Sequence, residues 1–131
     1  MIDPRELAPL AVELFVPDVA EATRFYADTM GFTVIRATPP EEPVFAIACL
    51  GEAVVMFMYD RFYAGTRADL DYRGAGVDIR LMVADVDAVY ARTREAGLEL
   101  LNPIGDRDYG LRDFIVRDPF GFRLRFASPL T

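Results

Sequence analysis

The feature of this sequence that most constrains its fold is an internal repeat. The segment VELFVPDVAEATRFYADTMGFTV, which begins at Val12, has the same pattern as IRLMVADVDAVYARTREAGLEL, which begins at Ile79. In both, an alternating apolar stretch is followed by Val-x-Asp-Val, a helical stretch, a glycine and further apolar residues. The shared aspartates, Asp18 and Asp85, lie 67 positions apart in a chain of 131 residues. A repeat of about half the chain indicates duplication of one structural unit.

Each repeat predicts the order β-α-β-β-β. The alternation that begins at Val12 and at Ile79 predicts a strand with one buried face. Asp18 and Asp85 follow these strands, where an aspartate can cap a helix, and a glycine follows each helical stretch, where a left-handed residue can end it. The remaining strands are predicted at about residues 32–37, 44–50 and 53–59 in the first repeat, and 98–102, 111–117 and 122–127 in the second.

This pattern predicts a single domain, residues 1–131, of the α+β class. Module 1 is expected at about residues 8–60 and module 2 at about residues 77–128. The polar, glycine-rich segment between them, about residues 60–76, is expected to be a linker loop that covers a site.

Composition excludes several classes of function. The chain has no histidine, which removes the commonest metal ligand and general base. Its net charge of −7 disfavours binding to nucleic acid or to anionic membranes. No apolar run approaches the ~20 residues of a membrane span, and the start MIDPRELAPL lacks the features of a signal peptide, so we expect a soluble cytoplasmic protein. The lone cysteine, Cys49, lies in an apolar run and is expected to be buried and inert.

The sequence resembles the vicinal oxygen chelate superfamily of glyoxalases, ring-cleaving dioxygenases and bleomycin resistance proteins. Three segments carry the resemblance: VPDVAEATRFYADTMGF at 16–32, VADVDAVYARTREAG at 83–97 and YGLRDFIVRDPFGFRLRFA at 109–127. The resemblance implies that the two tandem βαβββ modules form a curved mixed sheet, with a concave cleft on one side and the helices on the outer face.

In metal-dependent members of that superfamily, ligands lie on the first and last strands of each module. The matching positions here are Ala11, Met56, Asp78 and Arg125. A methyl group, a thioether and a guanidinium are unsuited to a divalent cation, and Asp78 alone is too few ligands. The resemblance therefore implies a member without a metal and without any other cofactor.

Among members that have lost the metal, the chain is most similar to the bleomycin resistance proteins. The resemblance implies a homodimer that binds one drug molecule per cleft without altering it, and exchange of the N-terminal strand between subunits. This chain has no tryptophan, so tyrosine and phenylalanine would have to provide the flat surface on which a drug stacks.

Strand alternation predicts which side chains face the cleft. Glu13 and Asp78 are candidates to meet a cationic ligand, and Arg125 to meet a carboxylate or phenolate. Alternatively, these groups and Arg80 form salt bridges with one another and meet no ligand. The full set of predicted ligand-binding residues is Glu13, Phe15, Met56, Met58, Phe62, Tyr63, Asp78, Arg80, Tyr109 and Arg125.

Three hypotheses for function follow. The first is a metal-free protein that sequesters a small planar or cationic antibiotic, such as bleomycin, or a metabolite. The second is an enzyme, either a diverged protein of the glyoxalase or dioxygenase type or a metal-free catalyst in which Glu13 or Asp78 acts as a base. The third is a structural or regulatory module whose cleft serves only for dimer contact. We favour the first and assign no catalytic residue.

Overall fold

The computed structural model of the chain describes residues 2–62 and 73–131. The chain divides into two compact units, Met1–Ala68 and Asp69–Thr131, and the division lies within the predicted linker. Each unit contains one βαβββ module with a four-stranded mixed sheet and one α-helix. The predicted α+β class and the predicted duplication are therefore confirmed.

Module 1 has the strand order β1-β4-β3-β2, with β1 parallel to β4 and the other pairs antiparallel. A short 3-10 helix, Pro4–Leu7, precedes it and another, Asp60–Phe62, follows it. Its elements are β1 Val12–Val16, α1 Val19–Asp28, β2 Thr33–Thr38, β3 Phe45–Leu50 and β4 Ala53–Tyr59.

Module 2 repeats this topology with the order β5-β8-β7-β6, and β5 is parallel to β8. Its elements are β5 Asp78–Met82, α2 Val86–Glu95, β6 Leu100–Asp106, β7 Leu111–Arg117 and β8 Arg123–Pro129.

Local sequence explains where the helices begin and end. The Asp18 carboxylate accepts a hydrogen bond from the Glu21 backbone N–H at 3.0 Å, and Asp85 accepts one from Ala88 at 3.1 Å. Both aspartates are therefore N-caps, as predicted. A glycine with positive φ follows each helix, 80° for the first and 71° for the second, in the left-handed region that side chains disfavour.

The helices bury one face of each sheet. In module 1 the fully buried ring of Tyr26 lies 4.8 Å from Phe57, centroid to centroid. In module 2 Tyr90 of α2 lies 5.0 Å from Phe114, which lies 5.5 Å from Phe126. These aromatic contacts fix which face of each sheet is core and which face remains for other contacts.

The sheet of module 2 differs from the prediction in one strand. We predicted a strand at 98–102 followed by a turn, but β6 continues to Asp106, through Pro103 and Gly105. Its pairing with β7 shifts register twice, between Leu100 and Asn102 and again before Gly105. Such irregular pairing accommodates a proline, which lacks the N–H that a regular ladder needs.

Both α-helices have ten residues, so no helix in the described part of the chain is long enough to cross a membrane.

Candidate functional site

The sheet face of module 2 that α2 does not cover carries a group of charged side chains. Residues paired across neighbouring strands point to the same face, and β5 pairs with β8 so that Asp78 lies beside Arg123 and Arg80 beside Arg125. Leu81, the residue after Arg80 in β5, is buried and points to the opposite face. Three guanidinium groups and one carboxylate therefore share this face, which we call the arginine face (Asp78, Arg80, Arg123 and Arg125).

Asp78 is bonded to two of these arginines. Arg123 Nε donates to Asp78 Oδ1 over 2.5 Å, and Arg125 Nη2 donates to Oδ2 over 3.2 Å. The hydrogen bond from Arg123, with the charges of both arginines, lowers the pKa of Asp78 against the opposing effect of burial. Both carboxylate oxygens are thus engaged, which leaves Asp78 poorly placed to act as a base or to bind a cation.

Two arginines of the arginine face retain unused hydrogen-bonding capacity. Arg125 Nε is buried and has no hydrogen-bond partner in the described part of the chain. An unsatisfied buried donor of this kind costs about 1–3 kcal/mol, which a suitable acceptor would recover. Arg80 is exposed, and among residues 2–62 and 73–131 it forms no ion pair. A groove of about 410 Å³ lies at the start of β5 and β8, where Gly76, Val77, Asp78 and Arg123 line it.

Tyr109 is anchored beside this face by a buried carboxylate. Its hydroxyl donates to Asp113 Oδ2 over 2.5 Å, and Arg107 Nε donates to Asp113 Oδ1 over 2.7 Å. The Asp113 side chain is only 1% exposed, whereas Tyr109 is 57% exposed. The hydrogen bonds therefore hold an aromatic ring in one orientation while most of it remains accessible.

The pKa values in this network reflect the same bonds. Burial alone would raise the pKa of Asp113, but the hydrogen bonds from Tyr109 and Arg107 outweigh it and the pKa is lowered. The bond to Asp113 raises the pKa of Tyr109, while the positive charge of Arg125 acts in the opposite direction. Arg125 is thus electrostatically connected to both groups.

Part of the corresponding face of module 1 is an apolar, buried cluster. Buried Ile47, Cys49 and Val54 form a cluster, and the partly buried residues packed against it are Ala8, Ala11, Ile35, Phe45 and Met56. Burial raises the pKa of the Cys49 thiol, in keeping with an inert cysteine.

The segment before β1 supplies part of this covering. Arg36 donates to both Glu6 carboxylate oxygens, over 2.9 and 3.0 Å, and this salt bridge joins the N-terminal 3-10 helix to β2. Ala8 then lies against the buried cluster. The N-terminal segment, whose exchange between subunits the resemblance implies, therefore contacts its own module here.

The predicted ligand-binding residues are placed differently in the two modules. Pairing between β1 and β4 puts Glu13 beside Met56 and Phe15 beside Met58 on the face away from α1. Met56 packs against the apolar cluster, and Glu13 is exposed. In module 2, Asp78, Arg80, Arg125 and Tyr109 all lie at or beside the arginine face. The side chain of Phe62 and the whole of Tyr63 lie outside the described residues.

The sequence analysis missed Arg107 and Asp113 as parts of this site. Strand alternation placed Arg123 toward the cleft, but Arg123 was not among the predicted ligand-binding residues. A signal existed for Asp113, because alternation along β7 places it on the same face as Ile115 rather than with the buried Phe114. A carboxylate at such a position needs partners.

The positions that hold a metal in other superfamily members do not fit one here. Ala11 offers no donor atom and packs against an apolar cluster, and the oxygens of Asp78 are both bonded to arginines. Over residues 2–62 and 73–131, no group of three or more His, Cys, Asp or Glu side chains could hold a metal ion. The donor set suits an ion pair and not a divalent cation.

Several solved structures share this fold. TioX from Micromonospora sp. ML1 is 26% identical, with a TM-score of 0.74 over 92% of this chain and 98% of TioX. TnmS3, an antibiotic binding protein from Streptomyces sp. CB03234, is 20% identical, with a TM-score of 0.69 over 91% and 93% of the two chains. A lactoylglutathione lyase from Agrobacterium tumefaciens is 16% identical, with a TM-score of 0.68 over 92% of each. The last two show the fold alone.

Comparison with known sequences and with family models also finds relatives of this chain. An uncharacterised protein of Mycobacterium bovis is 27% identical over 126 residues, which cover 92% of this chain and 83% of the mycobacterial protein. The family model described as the Glyoxalase/Bleomycin resistance protein/Dioxygenase superfamily matches residues 8–126. The chain belongs to the glyoxalase/bleomycin resistance protein/dioxygenase superfamily.

Proposed function

We propose that this chain is a binding protein that sequesters a small planar molecule, an antibiotic of the bleomycin type or another, or a metabolite, without modifying it. In the form that the resemblance implies, it acts as a metal-free homodimer in the cytoplasm, with the ligand held in a cleft of the dimer.

The observation that carries this proposal is the salt bridge between Asp78 and Arg125. These residues occupy two of the positions where metal-dependent superfamily members place ligands, and here they are bonded to each other over 3.2 Å. An arginine–carboxylate pair cannot polarise a substrate as a metal does, but it can position hydrogen-bond donors for recognition.

Two further observations support binding. The exposed Tyr109 ring, held by Asp113, offers a rigid surface on which a flat molecule can stack. TnmS3, which shares the fold, is described as an antibiotic binding protein.

The enzymatic alternative receives less support from the same residues. A general base needs a pKa near the working pH, and the arginines beside Asp78 shift its pKa away from that range. The likeness to a lactoylglutathione lyase is at 16% identity and concerns the fold.

Isothermal titration calorimetry with bleomycin, copper-loaded and metal-free, and with a panel of planar antibiotics tests the proposal. We expect saturable binding near one ligand per chain, and recovery of the ligand with unchanged mass by mass spectrometry. A ligand recovered in altered form would show that the protein is an enzyme and not a sequestering protein. Absence of binding by the whole panel would contradict the proposal, and light scattering tests the homodimer separately.

A further inference from the structure

We infer that the ligand of this chain is anionic: a planar aromatic molecule with a carboxylate or phenolate group, which Arg80 and Arg125 bind. The inference rests on the proposed function and assigns the chemical class of its ligand. It differs from the expectation that Asp78 meets a cationic drug.

The charge balance of the arginine face supports an anion. The whole chain has a net charge of −7, yet the four residues of the arginine face are three arginines and one aspartate. The carboxylate of Asp113, in the next row, is paired with Arg107. The carboxylate of Asp78 is already bonded to Arg123 and Arg125. The excess charge on the face is therefore positive, and an approaching cation would meet guanidinium groups without a free carboxylate.

The available donors also fit an anion. Arg80 is exposed and unpaired among the residues that the structure describes, and Arg125 Nε is a buried donor with no acceptor there. Because Arg80 pairs with Arg125 across β5 and β8, their Cα atoms are neighbours at roughly 5 Å, the spacing of adjacent strands. Guanidinium groups bind carboxylates through two parallel hydrogen bonds, a geometry that ammonium groups lack.

The neighbouring row of side chains can hold the aromatic part of such a ligand. Residues two positions further along the strands, Met82, Ala127 and Asp113, form the next row on the same face. Met82 is an exposed thioether, and Asp113 holds the exposed ring of Tyr109. A row of cationic donors thus lies beside a row with a soft apolar group and an anchored aromatic ring, which matches a flat molecule with an acidic group at one end.

Three probes with the same ring system and different charge test the inference. They are anthraquinone-2-carboxylate, the neutral anthraquinone-2-carboxamide and a cationic 2-(trimethylammoniomethyl)anthraquinone, each titrated into the full chain by calorimetry or fluorescence quenching. We expect the carboxylate to bind at least about tenfold more tightly than the carboxamide, the difference that a charge-assisted hydrogen bond provides, and the cation most weakly.

Variants of the arginine face test which residues cause the preference for the carboxylate probe. Arg80→Met, at an exposed position, should weaken carboxylate binding about threefold or more and leave carboxamide binding unchanged. Arg125→Lys keeps the charge but removes Nε, and should reduce carboxylate binding about tenfold. Arg92→Met removes the same charge from an exposed position on α2 and should change neither affinity.

Asp78→Asn gives the sharpest discrimination, because the two ligand classes predict opposite signs. An anionic ligand competes with Asp78 for the guanidinium groups, so the variant should bind the carboxylate probe severalfold more tightly. If Asp78 instead recognised a cation, the same variant would lose affinity for the ammonium probe.

The outcomes separate the two proposals. Preference for the carboxylate that Arg80→Met reduces supports the inference. Equal or tighter binding of the carboxamide or the ammonium probe overturns the anionic class and leaves sequestration of planar ligands standing. If none of the three probes binds the folded wild-type chain, both the anionic class and planar-ligand binding are contradicted.

Discussion

The hydroxyl of Tyr109 donates a hydrogen bond to Asp113 over 2.5 Å, and this bond joins an exposed aromatic ring to a carboxylate that is almost completely buried. Arg107 approaches the same carboxylate from the other side. Asp113 is therefore the centre of the network that fixes the loop between β6 and β7, and several properties of the protein should depend on it.

Replacing Asp113 with asparagine should destabilise the fold. Asp113→Asn leaves the Arg107 guanidinium without its buried counter-charge, and loss of such charged hydrogen bonds lowers the free energy of unfolding by about 1–3 kcal/mol. Urea unfolding followed by circular dichroism measures this change. Asp108→Asn, at an exposed position in the same loop, is the matched control and should have almost no effect. Equal stability of both variants would contradict the assigned role of Asp113.

The loss of folding stability at acid pH should depend on Asp78 and Asp113. Hydrogen bonds from arginine lower the pKa of Asp78, and those from Tyr109 and Arg107 outweigh burial to lower that of Asp113, so both folded values lie below the ordinary 3.8. The folding stability that these two carboxylates contribute is complete above pH 3.8. It is lost as the pH falls through their pKa values in the folded state. We expect the melting temperature to fall steeply below about pH 4, and less steeply in Asp113→Asn, relative to its own value at pH 6.

Tyr109 should titrate at unusually high pH. Its hydrogen bond to Asp113 raises its pKa above 10.0, so the stability it contributes is complete below pH 10.0 and is lost as the pH rises through the folded value. Absorbance titration of phenolate near 295 nm, as the difference between wild type and Tyr109→Phe, isolates this group. In Asp113→Asn its pKa should return toward 10.0, and an unchanged titration there would show that the bond does not cause the shift.

The salt bridge between Glu6 and Arg36 should protect the buried thiol of Cys49. The bridge joins the N-terminal 3-10 helix to β2, and Ala8 next to that helix packs against the cluster that contains Cys49. Glu6→Gln should therefore increase the rate at which Cys49 reacts with an aromatic disulfide reagent severalfold, because the segment opens more often. Glu21→Gln, at an exposed position on α1, should leave the rate unchanged. Equal rates in wild type and both variants would show that the Glu6–Arg36 salt bridge does not protect Cys49.

Much of the fold could be predicted because its signals are local. The alternation in β1 and β5, the caps Asp18 and Asp85 and the closing glycines each depend on residues within one turn or strand. Repetition of the same signals in both halves then gave the βαβββ order. The boundary of β6 could not be predicted, since a proline and a glycine within a strand are tolerated only through irregular pairing with β7.

The charged site was less predictable because its contacts are remote in sequence. Asp78 and Arg125 are 47 positions apart, and only the register between β5 and β8 brings them together. Alternation correctly grouped Asp78, Arg80 and Arg125 on one face, but it could not show that Asp78 is already neutralised by two arginines. Met56 was placed on the expected face, yet it packs against the buried cluster of Ile47, Cys49 and Val54. Ala8, from the N-terminal segment, packs against the same cluster, and no strand pattern predicts that contact.

The two faces of β8 separate residues of the core from residues of the proposed binding face. Phe126 and Leu124 hold the interior while Arg123 and Arg125, interleaved with them along the same strand, lie on the outer surface. Along this strand, residues of the core therefore alternate with residues of the opposite face. Under the proposed function, substitutions at residues 80 and 82 of β5 and at residues 123 and 125 of β8 should change which compound binds while the core stays intact.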